Sequence, residues 1–197
     1  MQPLAKKRPD AYSRTAPRLA EKTRIARSLD NLAQAGISEI FRLAMRELAG
    51  GVSVVTAGEG KRRAGFTATS VTSLSVTPPA LLICVQQTSG TLATILENGC
   101  FAVNLLSGQQ REIAHRFSGR SGVQGADRFS GHDWRYGKLG VPVLDSALAA
   151  VECTVAQVTE WHTHSVIFAN VAAVAVRGEG DSLTYWRGDY AALNGQG

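Results

Sequence analysis

A mainly β, barrel-type domain with a few peripheral helices is the fold class this sequence predicts. Three features predict it: several short runs rich in β-branched residues and bounded by turn residues, only short helical patterns between them, and no regular strand–helix alternation of the kind that builds a doubly wound parallel sheet.

The elements follow in order. Ser38 is placed to cap a helix from about Glu39 to Leu48, on which Phe41, Ala44, Met45 and Leu48 recur at helical spacing, and Gly50-Gly51 ends it. Val52 to Thr56 reads as a strand, and Glu59 to Arg63 as a charged, glycine-flanked hairpin loop. Phe66 to Leu74, rich in Thr, Ser and Val, reads as one second strand, and Pro78-Pro79 punctuates. Ala80 to Gln86 is a continuous apolar run, expected to be buried on both faces. Thr91 to Glu97 is a short helix, Cys100 to Leu105 a buried strand, and Gln109 to Phe117 a helix with Ile113, Ala114 and Phe117 on one face. Gly119 to Leu139 is a glycine-rich loop. Ala147 to Glu160 and Ser165 to Arg177 are long strands, and Leu183 to Trp186 is a short last one.

The chain has 197 residues, which suits one domain over 37–193, an extension over 1–36 and a short tail over 194–197. A domain of this size buries roughly 70% of its unfolded surface and needs no disulfide or metal staple. No apolar run approaches the roughly 20 residues that span a bilayer, and no signal peptide opens the chain. Cys84, Cys100 and Cys153 each lie in an apolar stretch without CxxC spacing, which fits buried, reduced thiols of a cytoplasmic protein. The net charge of +5 belongs to residues 1–36, with eight Lys/Arg against three acids, while 37–197 carry thirteen of each sign. A nucleic-acid binder would place a basic face on the folded body, so none is expected. The extension is a partner-binding arm, a dimer-embracing segment or a plain tail, and Glu21 and Asp30 weaken a transit-peptide reading.

Four segments could carry chemistry. Thr67-Ala68-Thr69-Ser70-Val71-Thr72-Ser73-Leu74-Ser75 alternates hydroxyls in a way that lines both faces of a strand. It is either the wall of a site for a polar planar ligand or an edge strand using Thr for its β-propensity. Gln86 to Thr91 lies between a buried strand and a helix, where Ser89 and Thr91 either meet a phosphate with the helix N-terminal amides or simply cap the helix. Asn104 interrupts an apolar strand and must bond either neighbouring backbone or a ligand. His162 and His164 share a strand face, but no nearby carboxylate or Cys completes a metal site. A nicotinamide-facing or proton-managing His is the better reading.

Taken together, these segments resemble the flavin reductase-like family, on the FMN-binding split-barrel fold, which includes reductase components of two-component monooxygenases. The resemblance runs from about Ile37 to Leu193. It rests on ordered matches: GGVSVVT (Gly50–Thr56), GFTATSVTSLSVTPPALLICV (Gly65–Val85), SGT (Ser89–Thr91), FAVNLL (Phe101–Leu106), an Arg-Phe pair followed by a loop with Trp134 and Pro142, ALAAVECTV (Ala147–Val155), WHTHSVIFANV (Trp161–Val171) and LTYWRGDY (Leu183–Tyr190).

The resemblance implies a homodimeric barrel whose flavin sites lie near the subunit interface. It implies that Thr67, Ala68, Thr69, Ser70 and Val71 line the isoalloxazine ring, with Gln86 and Asn104 nearby, Ser89 and Thr91 at the phosphate, and Arg187 and Tyr190 in the same pocket. It also implies that His164 faces the nicotinamide, although the family's Gly-Asp-His reads His162-Thr163-His164 here. The implied reaction is hydride transfer from NADH or NADPH to FMN or FAD, with reduced flavin passed to a partner monooxygenase. A reductase of another acceptor, such as a corrinoid or metal complex, and a non-catalytic flavin-binding module remain as alternatives.

Overall fold

The computed structural model of the chain describes residues 36–178 and 180–195, so the expectation for the extension lies outside the described residues. The chain divides into two units, residues 1–45 and 46–197. Of the first, the described part is helix α1, Ile37–Met45. Ser38 is therefore inside the helix rather than its cap. The Glu39–Arg42 pair on α1 is 3.5 Å apart and solvent-exposed, a geometry that adds little to stability.

The second unit holds twelve strands: β1 (Gly50–Gly51), β2 (Ser53–Ala57), β3 (Ala64–Ala68), β4 (Val71–Val76), β5 (Pro79–Gln86), β6 (Cys100–Leu105), β7 (Trp134–Tyr136), β8 (Pro142–Leu144), β9 (Ala149–Trp161), β10 (His164–Val176), β11 (Ser182–Trp186) and β12 (Asp189–Leu193). Two helices accompany them, α2 (Gly90–Asn98) and α3 (Arg111–Phe117). Seven strands form one antiparallel sheet in the order β3-β2-β6-β9-β10-β5-β4.

The order of that sheet dictates its shape. β3 and β4 are its two edges, yet only Thr69 and Ser70 join them. Three Cα steps reach at most about 11 Å, so the edges must curl toward each other at that corner. They are not hydrogen-bonded to each other, and the barrel stays split there. Ser70 Oγ donates to the Cys84 carbonyl of β5 at 3.0 Å and pins the crossing. The single strand expected over Phe66–Leu74 is therefore two strands. A hydroxyl-rich run carries no local signal for a corner set by sheet closure.

Strand alternation sorts the core. Val55 and Ala57 of β2 face the barrel interior with Leu81, Ile83, Val85, Phe101, Val103 and Ile167. Val54 faces the opposite side, against Ile113, Ala114 and Phe117 of α3 and Leu183 of β11. β5 alternates too: Leu81, Ile83 and Val85 are buried while Leu82 and Cys84 are half-buried. The expectation of burial on both faces gives way because a barrel wall has only one interior side. Among the described residues no helix is long and apolar enough to cross a membrane.

Candidate functional site

A cleft of about 540 Å³ opens where four pieces of chain converge. One wall is β3, from Ala64 to Thr67, where Phe66 packs partly into the barrel core and Gly65 leaves the backbone approachable. The floor at one end is Gln86, Thr88 and the start of α2. The far wall is the end of α3 with the segment that follows it, from Ser118 and Gly119 through Gly122–Gly125 to Arg128.

The start of α2 is a capped helix N-terminus at the edge of the cleft. Ser89, in extended backbone, caps the helix by accepting from the Thr91 amide at 3.3 Å. A Cβ on Gly90 would meet nothing within 4 Å. Gly90 therefore faces open space at the positive end of the helix dipole, while the Thr91 and Leu92 amides are taken by Ser89 Oγ and Ser89 O. Gly99 closes the helix in left-handed conformation, its amide donating to Ile95 O at 2.9 Å.

The far wall is held by arginines rather than by regular structure. Arg128 donates through Nε to Val123 O at 2.9 Å and through Nη1 to Gly65 O at 3.1 Å, tying the loop to β3. Arg63 donates to Ala126 O at 3.3 Å, and its guanidinium lies 4.7 Å from the Phe129 ring centre. Phe129 packs edge-on to Phe117 and Trp134, with centroids 5.0 Å apart in each case. Gly119, Gly122 and Gly125 all have positive φ, where a side chain would add strain. The only local signal for this wall in the sequence is its glycine spacing.

A smaller recess of about 220 Å³ adjoins the cleft. It shares Thr67 and Ser118 with the cleft and adds Thr69, Arg120, Tyr185 and Tyr190. Thr67 Oγ1 donates to Ala114 O at 2.6 Å, which fixes β3 to α3 at the junction. Burial raises the Tyr190 phenol above its ordinary range; Tyr185 adds to the shift, while Arg120 and Arg111 oppose it.

The structure thus brings together Thr67, Gln86, Ser89 and Thr91 in the cleft, with Thr69 and Tyr190 in the adjoining recess. His164 is exposed, opposite Gln86 in the β5–β10 ladder, with Nδ1 2.9 Å from Thr163 Oγ1. It stands on the strand beside the cleft's Gln86 and does not line the cleft. Ser70 is spent on Cys84, and Val71 turns toward an apolar groove on another side of β4.

Three expected contacts are corrected. The Ala68 side chain is buried in the barrel core, because alternation along β3 turns it away from the cleft. Asn104 is fully buried: its amide donates to Val54 O at 3.0 Å and Thr56 Oγ1 at 3.2 Å, and its carbonyl accepts from Leu144 N at 2.8 Å. Every polar atom of that side chain is used in joining β2, β6 and β8. Arg187 is held away from the cleft by Glu47, at 2.7–2.8 Å, and stacks on Trp186 with 4.3 Å from guanidinium to ring centre.

The thiols play no part in the cleft. Burial first, and Glu152 second, raise Cys100 and push Cys153 up to about 12. Among the described residues no group of three or more His, Cys, Asp or Glu could hold a metal ion.

Comparison with known proteins agrees with this geometry. The family profile described as flavin reductase like domain matches residues 45–194. The 4-hydroxyphenylacetate 3-monooxygenase reductase component of Pseudomonas aeruginosa is 38% identical, the match covering 79% of this chain and 91% of that protein. The FMN reductase (NADH) RutF of Pseudomonas syringae pv. syringae is also 38% identical, covering 81% and 89%. Among solved structures, BorF, the flavin reductase component of a bacterial two-component tryptophan halogenase, superposes with a TM-score of 0.74 at 29% identity, covering 81% of this chain and 99% of that one. The Streptomyces globisporus NADH:FAD oxidoreductase SgcE6, in complex with NAD and FAD fragments, superposes at 0.72 with 27% identity, covering 79% and 92%. This chain, a split barrel matched by the profile over three-quarters of its length, belongs to the flavin reductase-like family.

Proposed function

We propose that this chain is a flavin reductase that takes hydride from NADH or NADPH, reduces FMN or FAD, and supplies the reduced flavin to a separate monooxygenase component. The observation that carries the reading is the pairing of the start of α2 with the β3 strand, from Ala64 to Thr67, across one cleft. The helix start suits a flavin phosphate and the strand suits a planar ring, so the residues present fit the group.

When both are bound, flavin accepts at N5 the hydride that dihydronicotinamide gives from C4, and that chemistry belongs to the cofactors. The protein's residues bind and orient. Ser89, Thr91 and the Gly90 amide hold the phosphate. β3 offers the backbone groups of Ala64 to Phe66 to the ring edge. Gln86 closes one end, and Arg128 keeps the far wall against β3 so that the rings meet at a fixed distance. His164, beside Gln86, positions the nicotinamide. No nucleophile or strong general acid is needed, and the cleft lining carries no Asp or Glu.

A second copy of the chain is proposed to complete the assembly. An apolar groove of about 410 Å³ runs between Val71, Val76, Val103, Val151, Val171 and Val174, and Leu74, Val76, Val174 and Val176 are exposed around it. A contiguous apolar face of this kind supports a buried interface. Three free cysteines support a reducing compartment, the cytoplasm.

The test is oxidation of NADH and NADPH with added FMN or FAD, for wild type and His164→Ala. Flavin-dependent turnover, with kcat/KM in the variant down about tenfold or more, is expected. Tight flavin binding without turnover by the wild type would overturn the reading.

A further inference from the structure

We infer that the recess beside the cleft is a subsite for the adenylate half of a dinucleotide, carried by FAD or by the nicotinamide donor; the inference rests on the reductase reading above. The recess shares Thr67 and Ser118 with the cleft. A ligand held at the start of α2 can therefore continue into it without leaving the surface.

The lining has the chemistry of a ring, a sugar and a phosphate. Tyr185 and Tyr190 face each other across the β11–β12 ladder, half-buried, with centroids 5.2 Å apart and planes at 60°. An edge-to-face pair covers one of its four ring faces, so the others remain for a planar base. Stacking of a base on an aromatic side chain is worth about 5- to 100-fold in affinity.

Thr67 has given its hydroxyl hydrogen to Ala114 O, and Ser118 has given its own to His115 O at 2.7 Å. The Thr67 oxygen is left as an acceptor, and the Ser118 oxygen, which also accepts from Arg120 N at 3.3 Å, keeps one lone pair; ribose hydroxyls can meet both. The cationic component is Arg120. Nearby arginines are spoken for: Arg111 pairs with Asp189 at 2.5 Å, Arg187 with Glu47, and Arg116 with Ser130 O. Arg120 is exposed at the recess and, among the described residues, forms no ion pair. The recess lining contains no Asp or Glu to repel a phosphate.

The experiment uses the full-length protein and pairs of ligands with and without the adenylate: FAD against FMN, and NADH against reduced nicotinamide mononucleotide. kcat/KM is measured for wild type, Arg120→Gln, Tyr190→Leu and Tyr190→Phe, with AMP titrated calorimetrically. We expect Arg120→Gln and Tyr190→Leu to lower kcat/KM about tenfold for the adenylate-bearing member of one pair relative to its truncated partner, and to weaken AMP, while Tyr190→Phe keeps the ratio. A fall confined to the flavin pair assigns the subsite to FAD; one confined to the donor pair assigns it to the nicotinamide nucleotide. Equal effects on both members of both pairs, with AMP affinity unaltered, overturn the inference. Arg120 is exposed, so its variant carries the test if Tyr190→Leu fails to fold. Absence of turnover in the wild type defeats the reductase reading alone, and the AMP titration still decides the subsite.

Discussion

Asn104 shows how a residue that reads as a ligand contact can belong to the frame. Its amide and carbonyl satisfy Val54 O, Thr56 Oγ1 and Leu144 N, so its removal strands buried backbone groups on two strands at once. Each stranded group costs about 1–3 kcal/mol. Asn104→Ala is therefore expected to lose about 3 kcal/mol of stability by urea denaturation, with flavin affinity of the folded protein within about twofold of wild type. A large loss of flavin affinity at unaltered stability would return Asn104 to the binding site. Gly137 makes a comparable case. A Cβ there would sit 2.3 Å from Glu152 Oε1, because that buried carboxylate reaches into the turn to accept from Lys138 N at 2.9 Å and Leu139 N at 2.7 Å. Gly137→Ala must displace the carboxylate or the turn. It should lower the thermal midpoint by several degrees, about 1–3 kcal/mol.

The helices and long strands of the body were legible because each writes its periodicity within a dozen residues. Cys100–Leu105 coincides with β6, and α2 and the β9–β10 hairpin lie within two residues of expectation. The two-residue turn at His162-Thr163 ends that hairpin, His162 taking positive φ. What stayed illegible depends on elements distant in sequence: the corner at Thr69-Ser70, the wall built on Arg128, and β12, whose partner β11 covers it only after folding. Sequence pattern placed the strand-to-helix junction at Gln86 to Thr91 for that reason, but not the loop opposite it. That loop carries its own expectation. Arg128 uses its guanidinium fork on two carbonyls, Val123 and Gly65, a geometry a lysine does not reproduce. Arg128→Lys should raise the KM for flavin about tenfold with a smaller effect on kcat, and limited proteolysis should cut faster within 118–125. Within β9, the Cys153 thiol is pushed up to about 12 by burial and Glu152. The unfolded thiol ionises near 9 and the folded one near 12, so the unfolded state sheds the proton first as pH rises. This contribution to stability is full below about pH 9 and lost between 9 and 12, which chemical denaturation across that range will register, with a smaller slope in Cys153→Ala.

At the scale of the molecule, the Thr69-Ser70 corner places the cleft beside the face proposed to meet a second copy. Thr69 lines the recess beside the cleft, and Val71, two residues on, lines the apolar groove; one turn of chain thus separates the proposed flavin site from an exposed apolar face. Val76 is 83% and Val174 57% exposed on that face, a level of exposure that a lone domain of this size rarely gives to a contiguous apolar patch. Covering the groove with its symmetry mate buries the same residues on both copies, as a two-fold interface requires. It also brings the mate's surface against the Thr69–Val71 edge. Interface and site are then coupled, and two quantities must move together. Val76→Asp combined with Val174→Asp should shift the species in light scattering from about twice 20.9 kDa to 20.9 kDa, because each introduced carboxylate would be desolvated unpaired in the interface. The same variant should bind flavin more weakly, by about tenfold or more, with far-ultraviolet circular dichroism unaltered because both positions are exposed in the single chain. A monomeric variant with wild-type flavin affinity would separate the two, leaving β3, α2 and the Arg128 loop as a site complete within one copy.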